Sequence, residues 1–423
     1  MDIIVIFAGE ETMTEDHHVF GFPNDIRFVY KQVRNTRVFH CGFILDVGSR
    51  DELPGEQGLA HFWEHMAFKG TKKRRAFHII NRLESVGGEL NAFTTKEKIS
   101  FYASILEDHL EKAIELLVDI TFNSVFPEKQ IDRERMVILD ELAMYNDSPE
   151  DNLQDEFDEV VFGEHSLGKN ILGTEESLHT FRKEHFLDFI GENLSGRRTI
   201  FSAVGSAPFE KVLKVVEKYL STLPVLGRDR ERVQPEYRYG QRIVRNKSFG
   251  RSYCAIGRNA YHLNDEKRYP FFLLTNILGG PGLNSRLNLS LREKYGYVYS
   301  IDATYHGFTD SGMTGIYFGT EKKYLERSIR LVLREIEKLK NNRLGTVQLH
   351  KAKQQIMGQL AIAEENNVNL MLMLGRSLLD IHKIETLEEV FDKITHITSI
   401  QILEVANEIY EKDKLNYLIF QPK

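Results

Sequence analysis

The segment GLAHFWEHMAFKGT, residues 58–71, places two imidazoles and a carboxylate close together, at His61, Glu64 and His65. A helix turns about 100° per residue, so positions i, i+3 and i+4 share a face. With His61 at 0°, Glu64 falls at about 300° and His65 at about 40°. The opposite arc carries the apolar side chains Phe62, Trp63, Met66 and Ala67. The sequence therefore predicts a helix that buries one face and presents two histidines and a glutamate on the other.

These three residue types at this spacing favour a zinc site. Two histidines one turn apart can bind one zinc ion through their ring nitrogens. Glu64, beside the second histidine, can then act as general base on a metal-bound water. The order H-x-x-E-H reverses the more familiar H-E-x-x-H and is itself a signature of zinc proteases. The alternative is a solvated helix with two ordinary histidines, and a short motif alone does not decide between them.

A third ligand is predicted at Glu141, within DRERMVILDELAMYNDSPED. Glu134, Ile138 and Glu141 share a helical face, which a solvent-facing helix would also explain. Glu141, however, stands among apolar residues, where a carboxylate is costly unless it is paired or bound to a metal. Two histidines and one glutamate leave a position for water, as catalytic zinc requires. Glu134 lies about 10 Å from Glu141 along the helix axis, so it cannot easily be a fourth ligand on the same regular helix. A position beside the ligands or facing substrate fits better.

Composition narrows the class of protein. The 423 residues are 42% hydrophobic and 28% charged, with a net charge of −7 and a pI of about 6.1. This acidic balance argues against a nucleic-acid partner. No apolar run has the length of a membrane span, and the start, MDIIVIFAGEETMTEDHH, lacks the basic region of a signal peptide. We therefore expect a cytoplasmic protein without a membrane partner, in which Cys41 and Cys254 are buried thiols.

The chain has the pattern of an internal duplication. YASILEDHLEKAIELL, from Tyr102, aligns without gaps with YFGTEKKYLERSIRLV, from Tyr317, and the two cysteines keep nearly the same offset. The stretch from Leu223 to Gln241 is rich in charge, Gly and Pro, which is typical of a connection. The predicted division is a zinc-binding domain at 1–226, a linker at 227–240 and a second, homologous domain at 241–423.

The elements that must position the site alternate without regular βαβ spacing, which favours an α+β fold. RFVYKQV and VFHCGFILDVGS predict paired strands, and AFHIINRLESV predicts a helix after the His61 helix. GELNAFTTKEKISFYASIL predicts two strands. Longer helices are predicted from Glu107 to about Phe122 and from Glu128 to about Tyr145.

Together these motifs resemble the inverzincin metallopeptidases, which include pitrilysin, insulin-degrading enzyme and the mitochondrial processing peptidase. GLAHFWEHMAFKGT matches that family almost throughout, and Glu141 follows at the family's distance. The length resembles its small-subunit branch. The resemblance implies two structurally similar α/β-sandwich domains that form half of a clamshell, with a second chain completing the chamber. It also implies a place near the metal for Glu134 and a substrate-binding edge strand at Asn91, Ala92 and Phe93.

The resemblance also implies roles for the second half. GGPGLNSRL, which contains Gly279 and Gly280, resembles a glycine-rich segment facing the substrate; it lacks the Lys-Ser/Thr of a phosphate loop. LREKYGYVYS resembles the family's arginine–tyrosine pair, here Arg292 and Tyr299, whose donors would stabilise an oxyanion. Without the family, a salt-bridged surface arginine and a core tyrosine would be the simpler interpretation. Because one chain carries both motifs, we expect a homodimer, with Arg292 and Tyr299 acting in trans; a heterodimer stays open.

The predicted function is that of a zinc metalloendopeptidase that hydrolyses peptides or unfolded polypeptides in a closed dimeric chamber. One Zn²⁺ per chain would be held by His61, His65 and Glu141, with Glu64 as the base. The alternative is a non-catalytic structural or partner subunit of a related complex. A zinc hydrolase of another substrate class is a third possibility, for which the sequence offers no phosphate or sugar motif.

Overall fold

The computed structural model describes residues 11–13, 17–224, 227 and 231–423. The apolar start of the chain, and residues 225, 226 and 228–230 of the predicted connection, lie outside these residues. The strands are β1 (Glu11–Met13), β2 (His18–Gly21), β3 (Arg27–Gln32), β4 (Val38–Leu45), β5 (Glu89–Thr94), β6 (Ile99–Leu106), β7 (Thr199–Gly205), β8 (Arg242–Lys247), β9 (Ser252–Asn259), β10 (Val298–Gly307), β11 (Gly312–Thr320) and β12 (Asn416–Pro422).

The α-helices are α1 (Leu59–Ala67), α2 (Ala76–Glu84), α3 (Leu110–Phe122), α4 (Glu128–Asp147), α5 (Pro149–Phe162), α6 (Glu175–Thr180), α7 (Lys183–Asn193), α8 (Phe209–Leu220), α9 (Arg268–Gly279), α10 (Leu325–Asn341), α11 (Thr346–Glu364), α12 (Asn367–Asp380), α13 (Leu387–His396) and α14 (Ser399–Ile409). A π-helical segment spans Asn288–Lys294. Crossing a bilayer requires more length and apolar content than any helix among the described residues has.

The chain forms two compact units, each discontinuous in sequence. Unit 1 comprises 1–142, 170–232 and 363–384, and unit 2 comprises 143–169, 233–362 and 385–423. The two units exchange segments across the predicted division at 227–240: the segment with α5 belongs to unit 2, and the segment with α12 belongs to unit 1. Each of these helices buries an apolar face on a sheet that is distant in sequence.

Unit 1 contains a seven-stranded sheet in the order β1-β2-β3-β7-β4-β6-β5. Strands β3 and β7 are parallel, and the other pairs are antiparallel. One core cluster joins α1, α3, α7 and α8 to the sheet, with residues such as Phe43, Trp63 and Phe201. A separate cluster forms where α12 packs on the sheet through Met371 and Leu374. The sheet is therefore covered on both faces, and β5 lies at one edge.

Unit 2 repeats this topology in a five-stranded sheet ordered β10-β11-β9-β12-β8. β8 and β12 are parallel, as β3 and β7 are in unit 1. Each following neighbour is antiparallel in both sheets. Helix α5 packs on this sheet through Leu153 and Phe157, the counterpart of α12 on the first sheet. The shared order supports the duplication that the repeated sequence predicts, and Cys41 and Cys254 are both buried and free.

Candidate metal centre

Helix α1 begins directly after a turn that ends at Gly58. Gly58 has a φ of 93°, a conformation that favours glycine, and a Cβ there would lie 2.6 Å from the carbonyl oxygen of Leu172. The carboxylate of Glu52 accepts hydrogen bonds from the Gly58 N–H at 3.0 Å and the Ala60 N–H at 2.8 Å. These bonds satisfy two backbone donors at the helix start, which have no partner within the helix.

The two faces of α1 are as predicted. The apolar side chains lie in the core and are fully buried, at Phe62, Trp63, Met66 and Ala67. Glu64 and His65 are half-buried, and His61 is 8% exposed. Burial and the neighbouring His65 lower the pKa of His61 to about 3, so its imidazole is neutral at pH 7. A neutral imidazole is the form that ligates a metal.

Helix α4 brings Glu141 against this face of α1. One ligand atom from each of His61, His65 and Glu141 lies within 4.8 Å of the other two. The Oε2 atom of Glu141 is 3.6 Å from His65 Nε2 and 3.9 Å from His61 Nε2. These separations exceed a hydrogen bond. Tetrahedral zinc with bonds of about 2.0–2.2 Å holds its ligand atoms about 3.3–3.6 Å apart, so the two distances to Glu141 are close to what that ion requires.

Glu134 lies beside the predicted ligands and not among them. Its Oε1 atom is 3.1 Å from Nδ1 of His65, and its Oε2 atom is 2.8 Å from Nζ of Lys69. Burial raises the pKa of Glu134, but the hydrogen bonds from His65 and Lys69 outweigh it, so the net pKa is lowered. An ionised carboxylate on Nδ1 fixes the tautomer that leaves Nε2 free for a metal. Of the two positions expected for Glu134, the structure therefore shows the one beside a predicted ligand, His65.

Glu64 points at a different partner. Its Oε2 atom accepts a hydrogen bond of 2.6 Å from Oγ1 of Thr94, the last residue of β5. Burial raises the pKa of Glu64, against a smaller lowering by the Thr94 hydroxyl and His65. A carboxylate whose pKa is raised toward neutrality is a better proton acceptor than an ordinary glutamate.

The predicted substrate strand lies at the edge of its sheet. Asn91, Ala92 and Phe93 belong to β5, which pairs with β6 on one side and with no strand among the described residues on the other. Asn91 is exposed, whereas the Phe93 ring packs 6.0 Å from Tyr102 and 5.0 Å from the guanidinium of Arg376. The free edge can accept an extended peptide through backbone hydrogen bonds.

Unit 2 carries the other predicted residues. Arg292 lies in the π-helical segment and Tyr299 in β10, with the guanidinium carbon 6.0 Å from the ring centroid. Tyr299 is 78% exposed, so the interpretation of a core tyrosine is wrong. Gly279 and Gly280 are buried at the end of α9, where added Cβ atoms would approach backbone at 2.8 Å and 2.7 Å. Close packing therefore explains both glycines, whatever else they contact.

Three polar residues that contact the site residues or the start of α1 are not predicted from the sequence, namely Glu52, Lys69 and Thr94. Lys69 follows His65 by four positions, a spacing that places it within reach of the same neighbours on a helix end. Thr94 and Glu52 contact α1 because the fold brings them there, and no sequence motif predicts these contacts. Their partners are 30 residues away for Thr94 and 6 or 8 for Glu52.

Comparison with known proteins adds an independent finding. Residues 27–175 match the family model described as insulinase (peptidase family M16), and residues 180–356 match that of the peptidase M16 inactive domain. The chain is 30% identical to the "Uncharacterized zinc protease YmxG" of Bacillus subtilis, over 92% of this chain and 95% of the relative. It is 34% identical to an "Uncharacterized zinc protease" of Rickettsia felis, over 94% and 96%.

Two solved structures share the fold. A protease from Helicobacter pylori matches with a TM-score of 0.88 at 20% identity, over 96% of this chain and 99% of that chain. The peptidase M16 inactive domain from Pseudomonas fluorescens matches with a TM-score of 0.90 at 18% identity, over 96% and 98%. By its matches to both family models and its coverage of these relatives, the chain belongs to peptidase family M16, as the resemblance of its zinc motif implied.

Proposed function

We propose that this protein is a zinc-dependent endopeptidase that hydrolyses peptides and unfolded polypeptides. The observation that carries the proposal is the convergence of His61, His65 and Glu141 on one point, with Glu64 on the same helix face. The names of the relatives, zinc proteases, agree with the chemistry of this donor set. A bound zinc ion would act as a Lewis acid and lower the pKa of a water molecule to about 7.

The residues of the chain supply the remaining steps. His61, His65 and Glu141 would hold the metal, and Glu134 orients the imidazole of His65. Glu64 takes the proton of the attacking water and passes it to the leaving amine nitrogen. An extended peptide adds to the free edge of β5, so its backbone is aligned next to the strand that ends at Thr94. Backbone pairing tolerates many sequences, which suits a peptidase of broad preference.

The test is cleavage of a quenched-peptide mixture by wild type and by Glu64→Gln, with bound zinc quantified in both. Glu84→Gln, an exposed glutamate at the end of α2, is the matched control. We expect cleavage by wild type and control, a loss of roughly 10²–10⁴-fold in Glu64→Gln and about one zinc per chain throughout. A chain that binds no zinc after reconstitution would refute the proposal. Bound zinc without cleavage would favour the alternative of a non-catalytic partner subunit.

We also propose that two chains close one chamber, in which Arg292 and Tyr299 of each chain serve the metal site of the other. The exposure of Tyr299 leaves its hydroxyl free to meet a substrate. The ion pair of Arg292 with its neighbour Glu293 is loose, at 3.9 Å. Donors of these kinds stabilise the oxyanion of peptide hydrolysis.

Complementation tests the trans arrangement. Glu64→Gln and Arg292→Ala chains are each expected to be inactive, and a purified mixed dimer is expected to regain one complete site. Activity near half that of wild type in the mixed dimer is the expected result. A mixed dimer as inactive as its parents would show that each chain uses its own arginine.

A further inference from the structure

We propose that Thr94 is a positioning residue that sets the orientation of Glu64, so that the peptide-accepting strand also holds the proton acceptor. The inference rests on the proposed function. It starts from the hydrogen bond of 2.6 Å from Thr94 Oγ1 to Glu64 Oε2. The terminal torsion of a glutamate is broad, so an unrestrained carboxylate samples many orientations. One short bond to Oε2 restrains the rotation of the group, so that Oε1 would be the oxygen available to the reacting water.

Thr94 is itself held by a closed turn. It ends β5, where it pairs with Ile99 across the hairpin. The Thr95 N–H donates to the Lys98 carbonyl at 2.7 Å, which closes the turn directly after Thr94. The Lys96 carbonyl in this turn accepts from the Arg50 N–H at 2.7 Å, and an added Cβ at Gly48 would lie 2.4 Å from the Thr95 carbonyl oxygen. The turn therefore packs closely against the segment that leads into α1.

Buried charge makes this arrangement stiff. Arg50 Nη1 and Glu97 Oε1 form an ion pair of 2.6 Å, with side chains 1% and 5% exposed. A second cation, Arg232, donates to the Glu97 carbonyl oxygen at 3.2 Å. Moving the turn would separate charges that have little access to water, which is costly. Thr94 therefore donates to Glu64 from a rigid turn.

The strand pattern separates this role from peptide binding. Side chains alternate across β5, so Ala92 and Thr94 face α1, while Phe93 faces α12. The Thr94 side chain therefore contacts the base, and the edge offers its backbone to the peptide. We expect loss of the hydroxyl to slow the chemical step and to leave peptide affinity unchanged.

The experiment compares Thr94→Val, which keeps the shape and removes the donor, with Thr94→Ser, which keeps the donor. Thr36→Val is the matched control, since it removes a half-buried threonine hydroxyl that bonds locally to Val38 in the same unit. We expect kcat of Thr94→Val to fall roughly tenfold or more with KM unchanged, the effect of losing a hydrogen bond to a charged group. Thr94→Ser and Thr36→Val should retain wild-type kcat, and zinc content should be equal in all.

A binding measurement provides the readout that does not depend on turnover. In the Glu64→Gln background, adding Thr94→Val should leave the Kd of a quenched peptide unchanged, because Thr94 acts through residue 64 and not on the peptide. A zinc-loaded Thr94→Val variant with the kcat of wild type would overturn the role of Thr94 and leave the proposed function intact. Weaker peptide binding in the double variant would do the same. Absence of cleavage by wild type would instead overturn the proposed function, and this inference with it.

Discussion

The contact between Glu134 and His65 predicts a measurable loss of zinc affinity when the carboxylate is removed. Glu134 accepts from Nδ1 of His65 at 3.1 Å and is 6% exposed, so this contact is shielded from solvent. It also pairs with Lys69 at 2.8 Å. Removing the carboxylate leaves Nδ1 of His65 without its acceptor, and it leaves the ammonium group of Lys69 without this counter-ion near the proposed zinc site. Both losses oppose metal binding.

The size of the loss follows from what each substitution retains. Partners of metal-bound histidines typically contribute 10–100-fold in affinity, about 1.4–2.7 kcal/mol. Glu134→Gln keeps the size and an acceptor oxygen but loses the charge, so we expect zinc affinity to fall about tenfold. Glu134→Ala loses the acceptor as well, and we expect a fall of about 100-fold.

The assay is competition for zinc against a chelator of known affinity, with the melting temperature of the metal-free protein measured in parallel. Asp140→Asn is the control, because it removes one negative charge from an exposed position on the same helix. A purely structural glutamate would lower the melting temperature and leave the zinc Kd as in wild type. That result in Glu134→Ala would refute the reasoning.

Three further predictions concern stability, each checked by denaturant unfolding. Asp51 is 4% exposed and lies 2.8 Å from Arg232. Burial raises the pKa of Asp51, but the pairing with Arg232 lowers it by more, so the net pKa is lowered. The stabilisation by ionised Asp51 is therefore present at pH 7 and is lost as the pH falls below the ordinary value of 3.8. Asp51→Asn should cost about 3 kcal/mol at pH 7 and less at pH 3, and an equal cost at both would contradict this. Phe157 lies on α5 and is fully buried, so Phe157→Ala should lower the free energy of unfolding by about 3–5 kcal/mol. Phe77 is 71% exposed, so Phe77→Ala should change that free energy little. Gly279→Ala should destabilise the protein, because its Cβ would lie 2.8 Å from a backbone nitrogen of β10; a variant as stable as wild type would leave substrate binding as the reason for glycine.

Local periodicity was enough to predict the helices that carry the site. The helix predicted from Glu128 to about Tyr145 runs from Glu128 to Asp147. In α1 the apolar and polar arcs determine which side meets the core, since burial of four apolar residues, three of them large, determines the rotation of a short helix. The prediction of Glu141 as a ligand rests on the cost of placing a carboxylate among apolar neighbours. It does not require knowledge of how α4 and α1 cross.

Other features depend on contacts that no local pattern contains. The sequence shows that α5 and α12 have apolar faces, but it does not show which sheet each face covers. The hydrogen bond from Thr94 to Glu64 depends on how closely the turn after β5 approaches α1. That approach is set by buried ion pairs such as Arg50–Glu97, whose members look like ordinary surface charges in the sequence.

The order of residues in H-x-x-E-H has a consequence for how the base is held. Glu64 precedes the second ligand directly, so it lies about 60° from His61 and about 100° from His65 around the helix. This places its carboxylate toward β5, while Glu134 reaches His65 from α4 on another side. The proposed base and the proposed ligand are therefore held by separate elements. We expect a substitution in β5 to slow proton transfer without weakening zinc binding, and one in α4 to weaken zinc binding without reorienting Glu64.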